Sequence, residues 1–282
     1  MQGFLMGRHA RRLLRLGMSS RAWLHALVAM AFLAASTAHG QTDRRVALLI
    51  GNAAYTSGMP ALTYPLQDIQ VLEQSLKKLN FEVQVVRNAD QKAMGRAIRD
   101  FGTSAREAQV ALVYYSGHGM QARDENYLIP VGATIETEGD LDIEAIQLRA
   151  LMRQIEDARP KTTVVVLDAC RDNPVASRTK SGSKGLSRVQ NPPGNTLVVF
   201  AAQAGATATD NGVFAKELAT RIVEPNVGIR SVFDKVGQAV RQATNQRQAI
   251  QRDDQLSEDV VLVATARVEP VPDVRPVAPG PA

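Results

Sequence analysis

"VVVLDACRDNP", residues 164 to 174, carries three valines and a leucine straight into an aspartate, a cysteine and a turn. A short unbroken apolar run rich in β-branched residues is the pattern of a strand covered on both faces. Asp168 and Cys170 then stand at its carboxyl end. Runs of the same character recur at "RRVALLIG" (44–51), "FEVQVV" (81–86), "VALVYYS" (110–116) and "TLVVFAA" (196–202). Between them, apolar residues repeat at helical spacing: Leu66, Ile69, Leu72, Leu76 and Leu79 share one face, and Met94, Ile98, Phe101 and Ala105 another. Further helices fit 144–157, 213–223 and 229–246. Strands alternating with helices predict an α/β sandwich around a mainly parallel sheet, with helices on both faces and right-handed crossovers.

The 282 residues suffice for one large or two small domains, and 45% hydrophobic with 22% charged residues is globular composition, neither disordered nor fibrous. The net charge of +5 comes from one place: residues 1–40 hold Arg8, Arg11, Arg12, Arg15 and Arg21 and no acid, leaving 28 basic against 28 acidic residues. A neutral body gives no electrostatic footprint for nucleic acid. The Arg-rich start, the apolar run "AWLHALVAMAFLAAS" (22–36) and the small residues "TAHGQ" read as an export signal cleaved near Gly40, with a periplasmic or secreted destination. The apolar run has 15 residues, whereas a bilayer span needs roughly 20, so a retained anchor is the second reading and no stable membrane insertion is expected after cleavage. Arg11 and Arg12 form a twin arginine without the rest of that motif, and no cysteine follows the run to carry a lipid.

Residues 41–265 read as one folded domain. The stretch "RTKSGSKGLSRVQNPPGN" (178–195), with Ser, Gly, Pro and only basic charges, reads as an exposed loop within it. Residues 266–282 form a Pro-rich, extended tail.

Once the leader is removed, His118 and Cys170 are the only histidine and cysteine. One cysteine cannot make an internal disulfide, and a zinc site of Cys and His ligands lacks members. In open α/β sheets, ligands gather beyond the carboxyl ends of the strands. "VYYSGHG" puts His118 just after one strand and "VLDAC" puts Cys170 just after another, 52 residues on. An imidazole beside a thiol can take its proton and later protonate a leaving amine, the chemistry of acyl transfer. Gly117 and Gly119 allow close backbone approach, and their amides, with that of Cys170, can hold a developing oxyanion. The competing reading, a small core thiol and a turn histidine, explains neither residue's place at the same sheet edge.

These motifs resemble the caspase-like cysteine peptidases, the clan of caspases, metacaspases and paracaspases, and within it the bacterial metacaspase-like type. "YYSGHG" is similar to the histidine motif, "LDACRDNP" to the cysteine motif and "RRVALLIGNAAY" to the first core strand; the likeness runs from residue 44 to about 264. A histidine about 50 residues before the cysteine is the known caspase spacing, so the separation belongs to the match. The resemblance implies a caspase-hemoglobinase-like three-layer sandwich, cysteine endopeptidase activity on protein or peptide substrates, and no metal or other cofactor in the chemistry. It implies His118 as general acid/base, Cys170 as nucleophile, and the amides of Gly119 and Cys170 as oxyanion hole.

Animal caspases have Gln-Ala before the cysteine and cut after aspartate; here the order is Asp-Ala-Cys-Arg-Asp. The Asp-x-Cys order is similar to metacaspases and paracaspases, where the acid lines a pocket for arginine or lysine. Residues two apart on a strand share a face, so Asp168 lies beside Cys170. A carboxylate there raises the thiol pKa unless it serves a substrate cation; a structural acid capping a loop is the alternative. Asp68 in "YPLQDIQVL" and Asp210 in "FAAQAGATATDNG" match further pocket positions, Asp68 competing with an ordinary first-turn helix acid. Such a pocket makes Lys180, Lys184 and Arg188 candidates for self-cleavage, against a merely solvated loop. Metacaspases often require calcium; "ETEGDLDIE" (136–144) offers acids but no recognisable binding loop. The expected function is a cysteine endopeptidase cutting after Arg or Lys through a Cys–His dyad. The alternatives are a non-catalytic caspase-fold scaffold and an Asp-specific peptidase. Oligomeric state has no signature in this sequence.

Overall fold

The computed structural model describes residues 43–170, 186–189, 192–203 and 211–265, with Cys170 described by its backbone alone. The leader, the tail, Lys180, Lys184 and Asp210 lie outside these residues. All five apolar runs form strands of one sheet: β1 (Arg45–Gly51), β2 (Phe81–Arg87), β3 (Val110–Ala122), β6 (Thr162–Cys170) and β7 (Thr196–Phe200), in the order β2-β1-β3-β6-β7-β8. Every pair is parallel except that of β7 with the edge strand β8 (Gln251–Asp254). Two short strands, β4 (Glu125–Leu128) and β5 (Ile146–Gln147), continue from the far end of β3.

Alternating side chains of each central strand enter two separate cores. Leu49, Leu112, Val166 and Val199 pack with α1 (Pro65–Lys78), α5 (Val213–Arg221) and α6 (Ile229–Ala243). Leu48, Val113, Val165 and Val198 pack with α2 (Gln91–Ser104) and α4 (Leu148–Ala158) on the other face. Burial on both faces is why these strands read as unbroken apolar runs. The three-layer α/β sandwich follows as expected.

Four expectations change. β3 does not end before His118; it continues to Ala122 because Gly119 to Ala122 pair antiparallel with β4. The helix expected at 144–157 begins at Leu148, since Ile146 and Gln147 pair with Leu128 and Tyr127, and a short helix α3 (Leu141–Glu144) precedes them. The last two helices end earlier than expected, at Arg221 and Ala243. Of residues 186–189, expected to lie exposed, Arg188 is exposed, but Leu186 is buried, Ser187 and Val189 are half-buried, and all four are held in place. Leu186 is 1% exposed, Ser187 exchanges hydrogen bonds with the Asn126 side chain, and Asp253 accepts from both the Arg188 guanidinium and the Val189 amide at 2.9 Å.

Helix α6 starts at Gly228, which has no side chain to cap it, and its first turn is served from a distant segment: Asp259 Oδ1 accepts the Arg230 amide at 3.2 Å. A Cβ on Gly228 would lie 2.0 Å from Asp259 Oδ2. Asp259→Ala should therefore cost about 1 kcal/mol, the usual worth of a cap, read as a lower urea midpoint at unchanged slope. Gly228→Ala should cost a similar amount by expelling the carboxylate, and the double variant should lose less than the sum.

Candidate active site

The register of β3 and β6 sets the site. Ser116 lies opposite Asp168 and His118 opposite Cys170. Tyr114, Ser116 and His118 alternate along β3, so they share one face of the sheet, the side covered by α1. Tyr114 Oη donates to Asp168 Oδ2 at 2.8 Å, and Ser116 Oγ donates to Asp68 Oδ2 at 3.0 Å. Two of the three expected pocket acids, Asp68 from a helix and Asp168 from a strand, are thus gathered around adjacent positions of β3. Asp68 is only 4% exposed, which sets it apart from an ordinary first-turn acid on a solvated helix.

Burial pushes the Tyr114 hydroxyl well above the usual tyrosine range, and the charges of Asp168 and then Asp68 push it further. Tyr114 therefore stays protonated and remains a donor to Asp168.

His118 is 3% exposed. Its Nε2 lies 2.8 Å from the Pro60 carbonyl in the loop between β1 and α1. A carbonyl can only accept, so this bond places the proton on Nε2 and makes Nδ1 the basic nitrogen of the neutral ring. The Tyr55 ring sits against the imidazole, centroids 4.4 Å apart and tilted by 57°. The Ile129 amide donates to the His118 carbonyl at 3.0 Å. Gly119 and Leu128 are then a non-hydrogen-bonded pair of the antiparallel ladder, and the Gly119 N–H turns to the β6 side, toward the strand end that carries Cys170.

The glycines flanking His118 make room for neighbours within the fold. A Cβ on Gly117 would come within 2.6 Å of Tyr55 Oη and 2.7 Å of Tyr115 Oη, and one on Gly119 within 3.0 Å of the Ala169 Cβ and 3.1 Å of Leu186. Side chains of this domain fill the space those positions leave.

Arg188 is apart from this cluster, paired with Asp253 at 2.9 Å. In the acidic stretch 136–144, the Asp140 carboxylate accepts the amides of Glu136 and Thr137, closing a turn. Among the described residues no three side chains converge as metal ligands, and no helix is long and apolar enough to cross a membrane.

Tyr55, Pro60, Tyr114 and Ser116 are the residues that the sequence did not disclose. Extending β3 two residues would have exposed Tyr114 and Ser116 by alternation. The Pro60 carbonyl carries no side-chain signal.

A three-layer α/β sandwich that brings a histidine and a cysteine into register at the ends of adjacent parallel strands defines a caspase-type domain. The chain belongs to the Peptidase_C14 family, whose profile, described as the caspase domain, matches residues 44–261. It is 26% identical over 227 residues to the mouse mucosa-associated lymphoid tissue lymphoma translocation protein 1 homolog, covering 77% of this chain and 26% of that protein. The human protein matches with the same identity and coverage. The chain thus spans about a quarter of the length of these relatives. Among solved structures, it is similar in fold to the Drosophila initiator caspase Dronc, with a TM-score of 0.58 and 11% identity over 79% of this chain and 84% of that one. It is likewise similar to pro-sf-caspase-1, with a TM-score of 0.58 and 15% identity over 80% and 92%.

Tyrosine ionisation gives a test of the buried network. An unfolded tyrosine ionises near pH 10, whereas Tyr114 holds its proton in the fold and Tyr127 is pushed up to about 12 by burial and by its bond to Asp142. The folded state then binds more protons, so their contribution is complete below about pH 10 and is lost as pH rises toward the folded values. Stability measured by urea unfolding should fall on that alkaline side, and Tyr114→Phe should make the fall shallower while leaving the share of Tyr127.

Proposed function

We propose that the protein is a cysteine endopeptidase that hydrolyses peptide bonds after arginine or lysine, exported by its leader to act in the periplasm or as a secreted enzyme. The observation that carries this reading is the direct register of His118 with Cys170, with Nε2 of the histidine committed to Pro60. His118 Nδ1 takes the thiol proton of Cys170, and the thiolate attacks the substrate carbonyl. The amides of Gly119 and Cys170 hold the negative oxygen, and the imidazolium gives its proton to the departing amine. Water, deprotonated by the same imidazole, then cleaves the thioester.

Asp168 and Asp68 support the preference for a basic residue before the scissile bond. Two carboxylates around Tyr114 and Ser116 attract a guanidinium or ammonium and repel an aspartate, so they argue against Asp specificity. Asp210 joins them on its sequence position alone. A self-cut after Arg188 would first have to release the bonds that hold Ser187 and Val189; Lys180 and Lys184 are processing positions on their place in the sequence alone.

The decisive assay offers the purified protein peptides with Arg, Lys or Asp before the scissile bond. Arg and Lys peptides should be cleaved, and Cys170→Ala should cleave none. Equal turnover by wild type and Cys170→Ala would sink the catalytic assignment. Preference for Asp peptides would sink the pocket and spare the dyad. Asp168→Ala should lower kcat/KM for Arg and Lys peptides by about a hundredfold, as truncating one side of a buried charge pair does, while iodoacetamide still labels the thiol.

A further inference from the structure

β1 stops at Gly51, opposite Ser116 of β3. The start of α1 packs close against it: a Cβ on Gly51 would lie 2.6 Å from the Pro65 carbonyl. Between the end of β1 opposite Ser116 and the β4 ladder that begins at Gly119, the His118 carbonyl accepts the Ile129 amide at 3.0 Å, while its buried N–H needs a partner from outside the ladder.

Tyr55 supplies it, and Tyr115 adds a second donor to the carbonyl. Tyr55 Oη accepts the His118 N–H at 2.9 Å, and Tyr115 Oη donates to the His118 carbonyl at 2.6 Å. Each hydroxyl has one proton, and Tyr115 Oη reaches two carbonyls, His118 at 2.6 Å and Ile129 at 3.0 Å; donation along the shorter satisfies the whole group. Tyr115 gives its proton to His118, Tyr55 gives its own to the Ile129 carbonyl at 2.9 Å, and Tyr115 Oη accepts the Ile129 N–H at 3.1 Å. Asn52 fixes the same Ile129 carbonyl through Nδ2 at 3.2 Å. Only glycine at 117 leaves room for both hydroxyls, at 2.6 and 2.7 Å from where a Cβ would stand.

Tyr55 therefore touches His118 twice, at its backbone amide and at its ring face. We infer that Tyr55 is a positioning residue for His118, accepting its N–H at the junction between β1 and β4 and setting the tilt of the imidazole, with Tyr115 as its support. The inference rests on the dyad reading above. The bond to Pro60 fixes where Nε2 points, and the Tyr55 ring packed on the imidazole limits rocking about it. Without the hydroxyl, the buried His118 amide loses this acceptor, a loss the backbone relieves by shifting. Such a shift misaligns Nδ1 with the thiol, and displacements of this kind cost about tenfold to a hundredfold in rate.

Cys170 is the only cysteine, so the pH profile of iodoacetamide alkylation reads its coupling to His118 without any substrate. Wild type should keep reacting at pH values where His118→Ala, its thiol returned to an ordinary pKa of about 8.5, has slowed. Tyr55→Phe should fall between the two, and Tyr55→Leu, which also removes the ring, should lie closer to His118→Ala. In peptide cleavage, Tyr55→Phe should lose about tenfold or more in kcat with KM unchanged. Gly117→Ala, which expels both hydroxyls with Tyr55 intact, should reproduce the loss and serves as the second variant should Tyr55→Phe fail to fold. Coincident profiles for wild type and His118→Ala overturn the dyad reading and this inference with it. A wild type that differs from His118→Ala, with Tyr55→Phe matching wild type in profile and kcat, overturns the inference alone. A lowered melting temperature with normal kcat in Tyr55→Phe also overturns it, since it marks a role in stability only.

Discussion

Everything in this domain depends on the parallel pairing of β3 with β6 being held in one register from Val110 opposite Thr162 to His118 opposite Cys170. A slip of one residue would turn each strand's side chains to the wrong core and separate histidine from cysteine at the same time. The two cores prevent it. Val113 and Val165 face one set of helices while Leu112 and Val166 face the other, so burial on both faces, favourable by about 25 cal/mol per Å² of apolar surface, penalises any other alignment twice. The same apolar packing that stabilises the sheet also delivers the polar residues at its carboxyl end.

Around that register the loop from Asn52 to Tyr64 acts as a second frame. Asn52 ties β1 to Ile129 and to the amide of Ala89, Tyr55 covers the imidazole, and Pro60 accepts from it. The loop is anchored at both ends by close approach: Asn88 accepts the amides of Ala53 and Ala54, and Gly51 abuts the first turn of α1. An irregular segment thereby holds a catalytic-type side chain from several directions, which loops manage only when their backbone groups are all spoken for.

How much of this was legible in the sequence follows from which forces leave a local trace. The five core strands were legible because double-faced burial writes an unbroken apolar run, and the helices because one buried stripe writes a 3.6-residue period. β8, with the sequence QRDD, was not, because its pairing with β7 is set by tertiary placement and its polar side chains carry no period. His118 was found but placed past the end of its strand. Its flanking glycines look like a strand terminus, and only the structure reveals that two tyrosine hydroxyls occupy the space they leave. Asp68 was ambiguous for a similar reason: a first-turn helix acid and a buried acid accepting from a serine have the same local sequence. The Pro60 carbonyl lay beyond sequence reading altogether, since every residue has one.

The placement of Leu186 to Val189 has a consequence for the integrity of the chain. β6 before residues 171–185 pairs directly with β7 after them, and Leu186, Ser187 and Val189 are fastened to Gly119, Asn126 and Asp253. The halves on either side of that stretch are thus joined by a sheet ladder, two shared cores and a clamp of side chains. A single nick within 171–185 would leave these contacts intact, so the two pieces would stay together as a noncovalent pair until denatured.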